Sequence, residues 1–82
     1  MGSQSSIHRR DLVGLLRASV GEEKASALIF DAAIKLGFGT FDYSEAQAVA
    51  ILAEIAREPG LVGIAAGLAK TRVPRLMKQS ES

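Results

Sequence analysis

The sequence has no cysteine and only one histidine, His8. Without cysteine there is no disulfide framework, thiolate zinc site or cysteine nucleophile. One histidine cannot form a histidine metal cluster by itself, so we expect no metal site and no cofactor. Glycine-rich phosphate loops and nucleophile elbows are absent, Asp31 and Asp42 are not an obvious pair, and the serines concentrate at the termini and helix caps. The sequence therefore predicts a protein that is not an enzyme.

An excess of one charge and a long apolar run are lacking as well. Ten Lys and Arg against nine Asp and Glu give a net charge of +1, which provides no general attraction to nucleic acid. The longest apolar run, residues 61–69, has nine residues and includes two glycines, whereas a membrane-spanning helix needs about 20. No long apolar segment follows the polar N-terminus, as it would in a secretory signal. We therefore expect a cytoplasmic protein with no transmembrane segment.

The composition that remains is typical of a small globular domain, with 48% hydrophobic and 23% charged residues. A chain of this length buries only about 60% of its unfolded surface, so its stability is marginal unless it pairs. We predict one helical domain over residues 6–74. Residues 1–5 then form a flexible leader or cloning remnant, although Met1-Gly2-Ser3-Gln4-Ser5-Ser6 also fits the N-myristoylation pattern. Residues 75–82 form a frayed basic and polar tail.

Helical periodicity of the apolar residues predicts an all-α fold, a compact bundle of four short helices. The predicted helices cover residues 6–18, 20–36, 44–58 and 61–72. Short connections between them indicate that neighbouring helices run roughly antiparallel. No alternating apolar and polar pattern is long enough to predict a strand.

The first two predicted helices each have a candidate N-cap. Ser5 or Ser6 would cap the first helix by accepting a bond from its first turn, which leaves His8 as a solvated histidine. Ser19 and Glu22 have the spacing of a capping box at the start of the second helix. The second helix carries a wide apolar stripe and is expected to lie at the centre of the core.

The third and fourth predicted helices are separated by a proline and a glycine. Ser44 and Gln47 have capping-box spacing at the start of the third helix, and Asp42 with Glu45 offers an alternative start. Pro59 ends this helix, because proline disfavours helical conformation in the residue before it. The fourth helix is expected to turn one apolar stripe toward the core, formed by Leu61, Ile64, Ala65 and Leu68.

Three glycines define the first candidate site. Gly60, Gly63 and Gly67 leave one side of the fourth helix almost without side chains, so another backbone can approach closely there. The helix then either packs tightly within its own bundle or binds a partner protein or a second copy. We take Gly60, Gly63 and Gly67 as candidate partner-binding residues.

The aromatic connection between the second and third helices is the second candidate site. Phe38, Phe41 and Tyr43 lie within six residues of one another. Such a loop either plugs the open end of the bundle or projects as a recognition knob. Phe38 and Phe41 therefore join the candidate partner-binding residues.

A basic C-terminal segment is the third candidate, and it supports an alternative function. In residues 52–69, Ala56 and Gly60 are four positions apart and Leu61 follows the glycine. This stretch resembles a helix-turn-helix DNA-binding element, with a basic segment after the second helix. Under this interpretation the phosphate-contacting residues would be Lys70, Arg72, Arg75 and Lys78, with binding weakened by salt. The second helix of the element, however, begins with small apolar residues that cannot hydrogen-bond to base edges.

Taken together, these patterns predict a non-enzymatic protein–protein interaction or regulatory module. It would act alone or as part of a larger signalling protein, and it would bind another protein or a second copy of itself. A small apolar domain of this kind is expected to leave apolar surface exposed, and exposed apolar patches generally bind something. The alternative is a small DNA-binding protein that uses the third and fourth helices and the basic C-terminus.

Overall fold

The structure, a computed structural model, describes residues 7–39 and 42–73. In this part of the chain there are four α-helices: α1 (Arg9–Val20), α2 (Glu22–Leu36), α3 (Glu45–Ile55) and α4 (Leu61–Lys70). The predicted all-α bundle of four short helices is therefore confirmed. The predicted leader at residues 1–5 and the predicted tail at residues 75–82 lie outside the described residues.

The helices pack in a ring. α1 packs against α2 and α4, and α3 packs against the same two helices. As a result α2 and α4 lie at opposite corners of the bundle, and each helix has one side directed at the shared core and another directed outward. This arrangement leaves the outer sides of α2 and α4 well separated.

α1 is capped by the only histidine. The Arg10 N–H donates to His8 Nδ1 at 3.1 Å, and the His8 N–H donates to Asp11 Oδ2 at 3.1 Å. This reciprocal pair is a capping box, which satisfies two backbone donors that a helix end would otherwise leave free. The helix therefore begins at residue 9, and the predicted start at residue 6 is wrong.

A glycine, rather than a serine, starts α2. Gly21 has a φ of 92°, a conformation that glycine adopts at little steric cost, and it lets α1 continue to Val20. Ser19 is therefore in the last turn of α1, and the predicted capping box of Ser19 with Glu22 is wrong. In the described part of the chain, no side chain hydrogen-bonds to the α2 N-terminus as a cap.

α3 starts as predicted. The Gln47 N–H donates to Ser44 Oγ at 3.1 Å, and the Ser44 N–H donates to Gln47 Oε1 at 3.0 Å. This capping box selects the predicted start at residue 44 over the alternative at Asp42.

Both α3 and α4 end earlier than predicted. The N–H groups of Arg57 and Glu58 donate to carbonyl oxygens three residues earlier, at 3.2 and 2.9 Å. The N–H groups of Thr71 and Arg72 do the same at 3.1 and 2.9 Å. Bonds of this spacing belong to the tighter turns that often follow an α-helix, so α3 ends at residue 55 and α4 at residue 70.

A short antiparallel strand pair, which the sequence pattern did not predict, closes one end of the bundle. β1 (Ile7–His8) pairs with β2 (Asp42–Tyr43), with Ile7 opposite Tyr43. Two residues per strand are too few to produce a recognisable alternation. Ile7 and Tyr43 are both buried, and Phe38 is half-buried against the core.

The core combines large side chains from three helices with small ones from α4. Leu12, Leu16, Ile29, Ile51 and Leu52 are fully buried. The buried residues of α4 are alanines at positions 65, 66 and 69. The predicted inward stripe of this helix is therefore wrong in all but one member, since three of its four residues are exposed: Leu61, Ile64 and Leu68.

Candidate functional site

The outer side of α4 carries the most exposed large apolar residues in the described part of the chain. Leu61 is 63% exposed, Ile64 is 63% exposed and Leu68 is 59% exposed. Their spacing of three and four residues places them on one side of the helix. It is also the spacing of alternate a and d positions in a coiled coil. We call Leu61, Ile64 and Leu68 the outer α4 face.

α4 contains a second apolar stripe, and this is the one that faces the core. Ala65, Ala66, Ala69 and Val73 are buried, and Val62 is half-buried against the core. Residues 62, 65, 66 and 69 of α4 follow a spacing of i, i+3, i+4 and i+7, which is regular for one helix face. Val73, three residues beyond the end of α4, continues this spacing at i+11. Because these side chains are small, α4 lies close to its neighbours and its larger residues point outward.

Gly63 holds α4 against the turn that precedes it. A Cβ atom on Gly63 would lie 2.9 Å from the carbonyl oxygen of Ala56 and closer still to that of Glu58. The lack of a side chain at Gly63 therefore allows close packing within the chain itself. Gly60 lies in the turn itself, with a φ of 79°.

Gly67 differs from the other two glycines. It is half-buried, and among the described residues no atom beyond its own helix neighbours would lie within 4 Å of an added Cβ. Gly67 follows Ile64 by one turn, so it borders the outer α4 face. The predicted glycine surface is thus divided, and Gly67 is the member with open space beside it.

The aromatic candidates follow the C-terminal end of α2 in the sequence. Phe38 packs against the core, and Phe41 lies outside the described residues. Tyr43 is 1% exposed, and its hydroxyl has no hydrogen-bond partner within the described chain. Burial raises the pKa of Tyr43, an effect that the nearby Arg9 guanidinium partly offsets. Phe38 and Tyr43 therefore belong to the packed interior more than to an outward knob.

Two of the four basic residues of the DNA-binding alternative can be located. Lys70 is half-buried and Arg72 is exposed, both at the C-terminal end of α4. Arg75 and Lys78 lie outside the described residues. The side chains that α4 directs outward along its length are apolar and offer no donor or acceptor for base edges, so the DNA-binding alternative stays a prediction.

A cluster of charged side chains links α2, α3 and the turn that follows α3. Lys35 Nζ donates to Glu54 Oε2 at 3.2 Å, and Arg57 donates to Glu54 Oε1 at 3.4 Å. The Lys35 hydrogen bond, with the positive charges of both partners, lowers the pKa of Glu54. A cleft of about 300 Å³ lies beside this pair, between α2 and α3, and Ile34 contributes to its lining.

Sequence reasoning missed two surfaces. The outer α4 face was assigned to the core, although the regular stripe at residues 62, 65, 66, 69 and 73 was a signal that the larger residues could face outward. A cleft of about 270 Å³ between α1 and α2 is lined by Arg9, Arg10 and Arg17. The spacing of Arg10, Gly14 and Arg17, at i, i+4 and i+7, was the available signal for that cleft.

Within residues 7–39 and 42–73, no helix has the length and apolar character needed to cross a bilayer. In the same residues, no three or more His, Asp or Glu side chains are grouped as metal ligands. In comparison with known proteins, no family model, no curated protein and no solved structure matches this chain.

Proposed function

We propose that this protein is a non-enzymatic protein–protein interaction module that self-associates through the outer α4 face. The observation that carries the proposal is the inverted arrangement of α4, which buries its alanines and exposes Leu61, Ile64 and Leu68. Exposed large aliphatic residues on one side of a helix are the usual contact of helix–helix interfaces.

The size of the apolar contact supports a weak, reversible dimer. Burying an aliphatic side chain that is about 60% exposed contributes roughly 1–2 kcal/mol. Three such residues from each of two copies therefore contribute roughly 6–12 kcal/mol, which is comparable to the roughly 4–15 kcal/mol that association loses in translational and rotational freedom. We expect a dissociation constant in the micromolar range or weaker.

Charge favours an antiparallel pair. The turn before α4 carries one guanidinium, Arg57, and one carboxylate, Glu58, so its net charge is zero. The opposite end of α4 carries Lys70 and Arg72. An antiparallel pair keeps the two basic ends apart, whereas a parallel pair brings them together. A twofold antiparallel arrangement also closes after two copies.

The direct test is sedimentation equilibrium of the wild type and two matched variants. Ile64→Lys inserts a charge into the outer α4 face, and we expect a monomer. Ile34→Lys makes the same change at a residue of α2 that is 55% exposed, close to the 63% of Ile64, and we expect the wild-type dimer. Circular dichroism checks that both variants keep their helices.

The antiparallel orientation has its own test, because the chain contains no cysteine. Leu61→Cys and Leu68→Cys variants, mixed and oxidised, should form the mixed disulfide faster than either variant forms its own. The reverse order would exclude the antiparallel pair. A wild type that stays monomeric at millimolar concentration, or an Ile64→Lys variant that dimerises as well as Ile34→Lys, would overturn self-association through this face.

A further inference from the structure

A basic cleft lies between α1 and α2, and nothing in the proposed function uses it. Its volume is about 270 Å³, near the lower end of small-molecule sites. Three guanidinium groups and one carboxylate contribute to its lining, a net charge of two positive units in a chain whose total is +1. We call this the arginine cleft; its lining residues are Arg9, Arg10, Val13, Gly14, Arg17, Glu22 and Ser26.

Two of the arginines are available to a ligand. Arg10 and Arg17 are exposed and lie two helical turns apart on the same side of α1. Neither guanidinium has a carboxylate within salt-bridge distance among the described residues. Planar guanidinium groups bind phosphate oxygens in pairs of parallel hydrogen bonds, and both of these arginines line the same cleft.

Gly14 keeps the space between the two arginines open. Glycine inside a helix costs roughly 0.5–1 kcal/mol relative to alanine, and the fold gives no reason for it here. Its φ is not positive, and no described atom beyond its helix neighbours would lie within 4 Å of an added Cβ. Gly14 does, however, line the arginine cleft, and its missing side chain leaves room there.

The α2 side of the cleft determines which chemical class of phosphate compound fits it. Ser26 offers a hydroxyl, which donates to a phosphate oxygen. Glu22 offers a carboxylate, which only accepts hydrogen bonds at neutral pH and repels a second anionic group. We infer that the arginine cleft binds a small hydroxylated phosphate monoester, with the phosphate on Arg10 and Arg17 and a ligand hydroxyl donating to Glu22.

The test is an NMR titration of the full chain with glucose 6-phosphate, compared with inorganic phosphate and with glucose. We expect amide shifts at residues 9–17 and 22–26, with glucose 6-phosphate tighter than inorganic phosphate and glucose inactive. Arg10→Gln and Arg17→Gln should each weaken binding at least about tenfold, as expected for the loss of charge-assisted hydrogen bonds. Arg72→Gln removes the same charge outside the cleft and should leave the affinity unchanged.

Gly14→Leu separates binding from folding. Leucine favours a helix more than glycine does, so the unfolding midpoint should not fall, while the added side chain fills the cleft and abolishes the shifts.

A vesicle sedimentation arm distinguishes the source of the phosphate. Retention on phosphatidylinositol 4-phosphate vesicles, lost in Arg10→Gln, would assign the site to a lipid headgroup, and its absence alongside glucose 6-phosphate binding would assign it to a soluble ester.

Two results would overturn the inference. One is the absence of shifts at about 10 mM glucose 6-phosphate, where a ligand with a millimolar dissociation constant is close to saturation. The other is equal weakening by Arg72→Gln and Arg10→Gln, which would show attraction to net charge and no defined site. Since neither result involves the outer α4 face, the inference and the proposed function fail independently.

Discussion

At the scale of single residues, Tyr43 combines a structural role with an unsatisfied polar atom. Its ring is buried opposite Ile7 in the strand pair, while its hydroxyl has no hydrogen-bond partner among the described residues. A buried hydroxyl without a partner costs roughly 1–3 kcal/mol relative to one that is satisfied. The burial that fixes the ring in the core is also what raises the pKa of Tyr43.

Replacing Tyr43 by phenylalanine should therefore not destabilise the protein. Near pH 7 we expect Tyr43→Phe to unfold at the same or a higher urea concentration, with a gain of up to about 1 kcal/mol. A phenol whose pKa is raised by folding favours the folded state below its unfolded pKa, which is near 10.0, and this contribution is lost as the pH rises above that value. The wild type should lose more stability than Tyr43→Phe between pH 9 and pH 11.

Urea denaturation of the two proteins at each pH provides the check, because other titrating groups are common to both. If Tyr43→Phe is clearly less stable than the wild type at pH 7, the hydroxyl makes a stabilising bond. Parallel pH profiles would contradict the raised pKa.

At the scale of secondary-structure elements, the sequence predicts which segments are helical but not how each one is oriented. The Ser44–Gln47 box was predicted because both partners are in one short stretch. His8 was not predicted as a cap, because an imidazole acceptor is outside the usual set of serine, threonine, asparagine and aspartate. Ser19 was wrongly assigned because Gly21 allows α1 to continue past it.

α4 shows why the candidate site could be predicted only in part. Its sequence contains two overlapping apolar stripes, one of large residues and one of small residues ending at Val73. Periodicity alone does not choose between them, and preferring the larger stripe gave the wrong orientation. The orientation of α4 depends instead on tertiary packing, in which Gly63 lies so close to the carbonyl oxygens of Ala56 and Glu58 that a Cβ atom would not fit. The glycines were recognised as important, but their separate roles required the fold.

The close packing of Gly63 predicts a sharp contrast between two helical glycines of α4. Gly63→Ala places a methyl group against backbone oxygens that cannot rotate away, and we expect a loss of about 1–3 kcal/mol. Gly67→Ala places the same methyl group in open space and improves helix propensity, so we expect a gain of roughly 0.5–1 kcal/mol.

Chemical denaturation of both variants, at a protein concentration where the wild type is monomeric, measures the contrast without the contribution of association. Each variant serves as the control of the other, since both add one methyl group to a glycine of the same helix. Equal effects on the unfolding free energy would refute the tight contact at residue 63.

At the scale of the whole molecule, net charge and total hydrophobicity conceal how unevenly both are distributed. A net charge of +1 is compatible with a cleft that holds three arginines, and a small core is compatible with three aliphatic residues left outside on one helix. Composition therefore sets expectations about the class of function, but the candidate surfaces depend on which helices meet. The ring order of the bundle separates the outer α4 face from Ile34 on α2, at the opposite corner.

Self-association predicts that the thermal stability depends on protein concentration. A dimer that involves only folded chains shifts the unfolding equilibrium by mass action, by about 1.4 kcal/mol per dimer, or about 0.7 kcal/mol per chain, for each tenfold rise in concentration above the dissociation constant. The melting temperature of the wild type should therefore rise with concentration, measured by differential scanning calorimetry. For Ile64→Lys it should stay constant, while Ile34→Lys should follow the wild type; a constant wild-type value would argue against the dimer.

The alanine layer beneath α4 has a consequence for how this protein can change over time. The residues that hold the helix in the bundle, at positions 62, 65, 66, 69 and 73, are different from those that it presents to other molecules. Mutations at Leu61, Ile64 or Leu68 can therefore accumulate without disturbing the core, and selection for a new partner would act on three positions alone. The inner positions lack that freedom, because larger side chains there would push the helix away from its neighbours. Variation among related sequences should accordingly concentrate on one side of this helix.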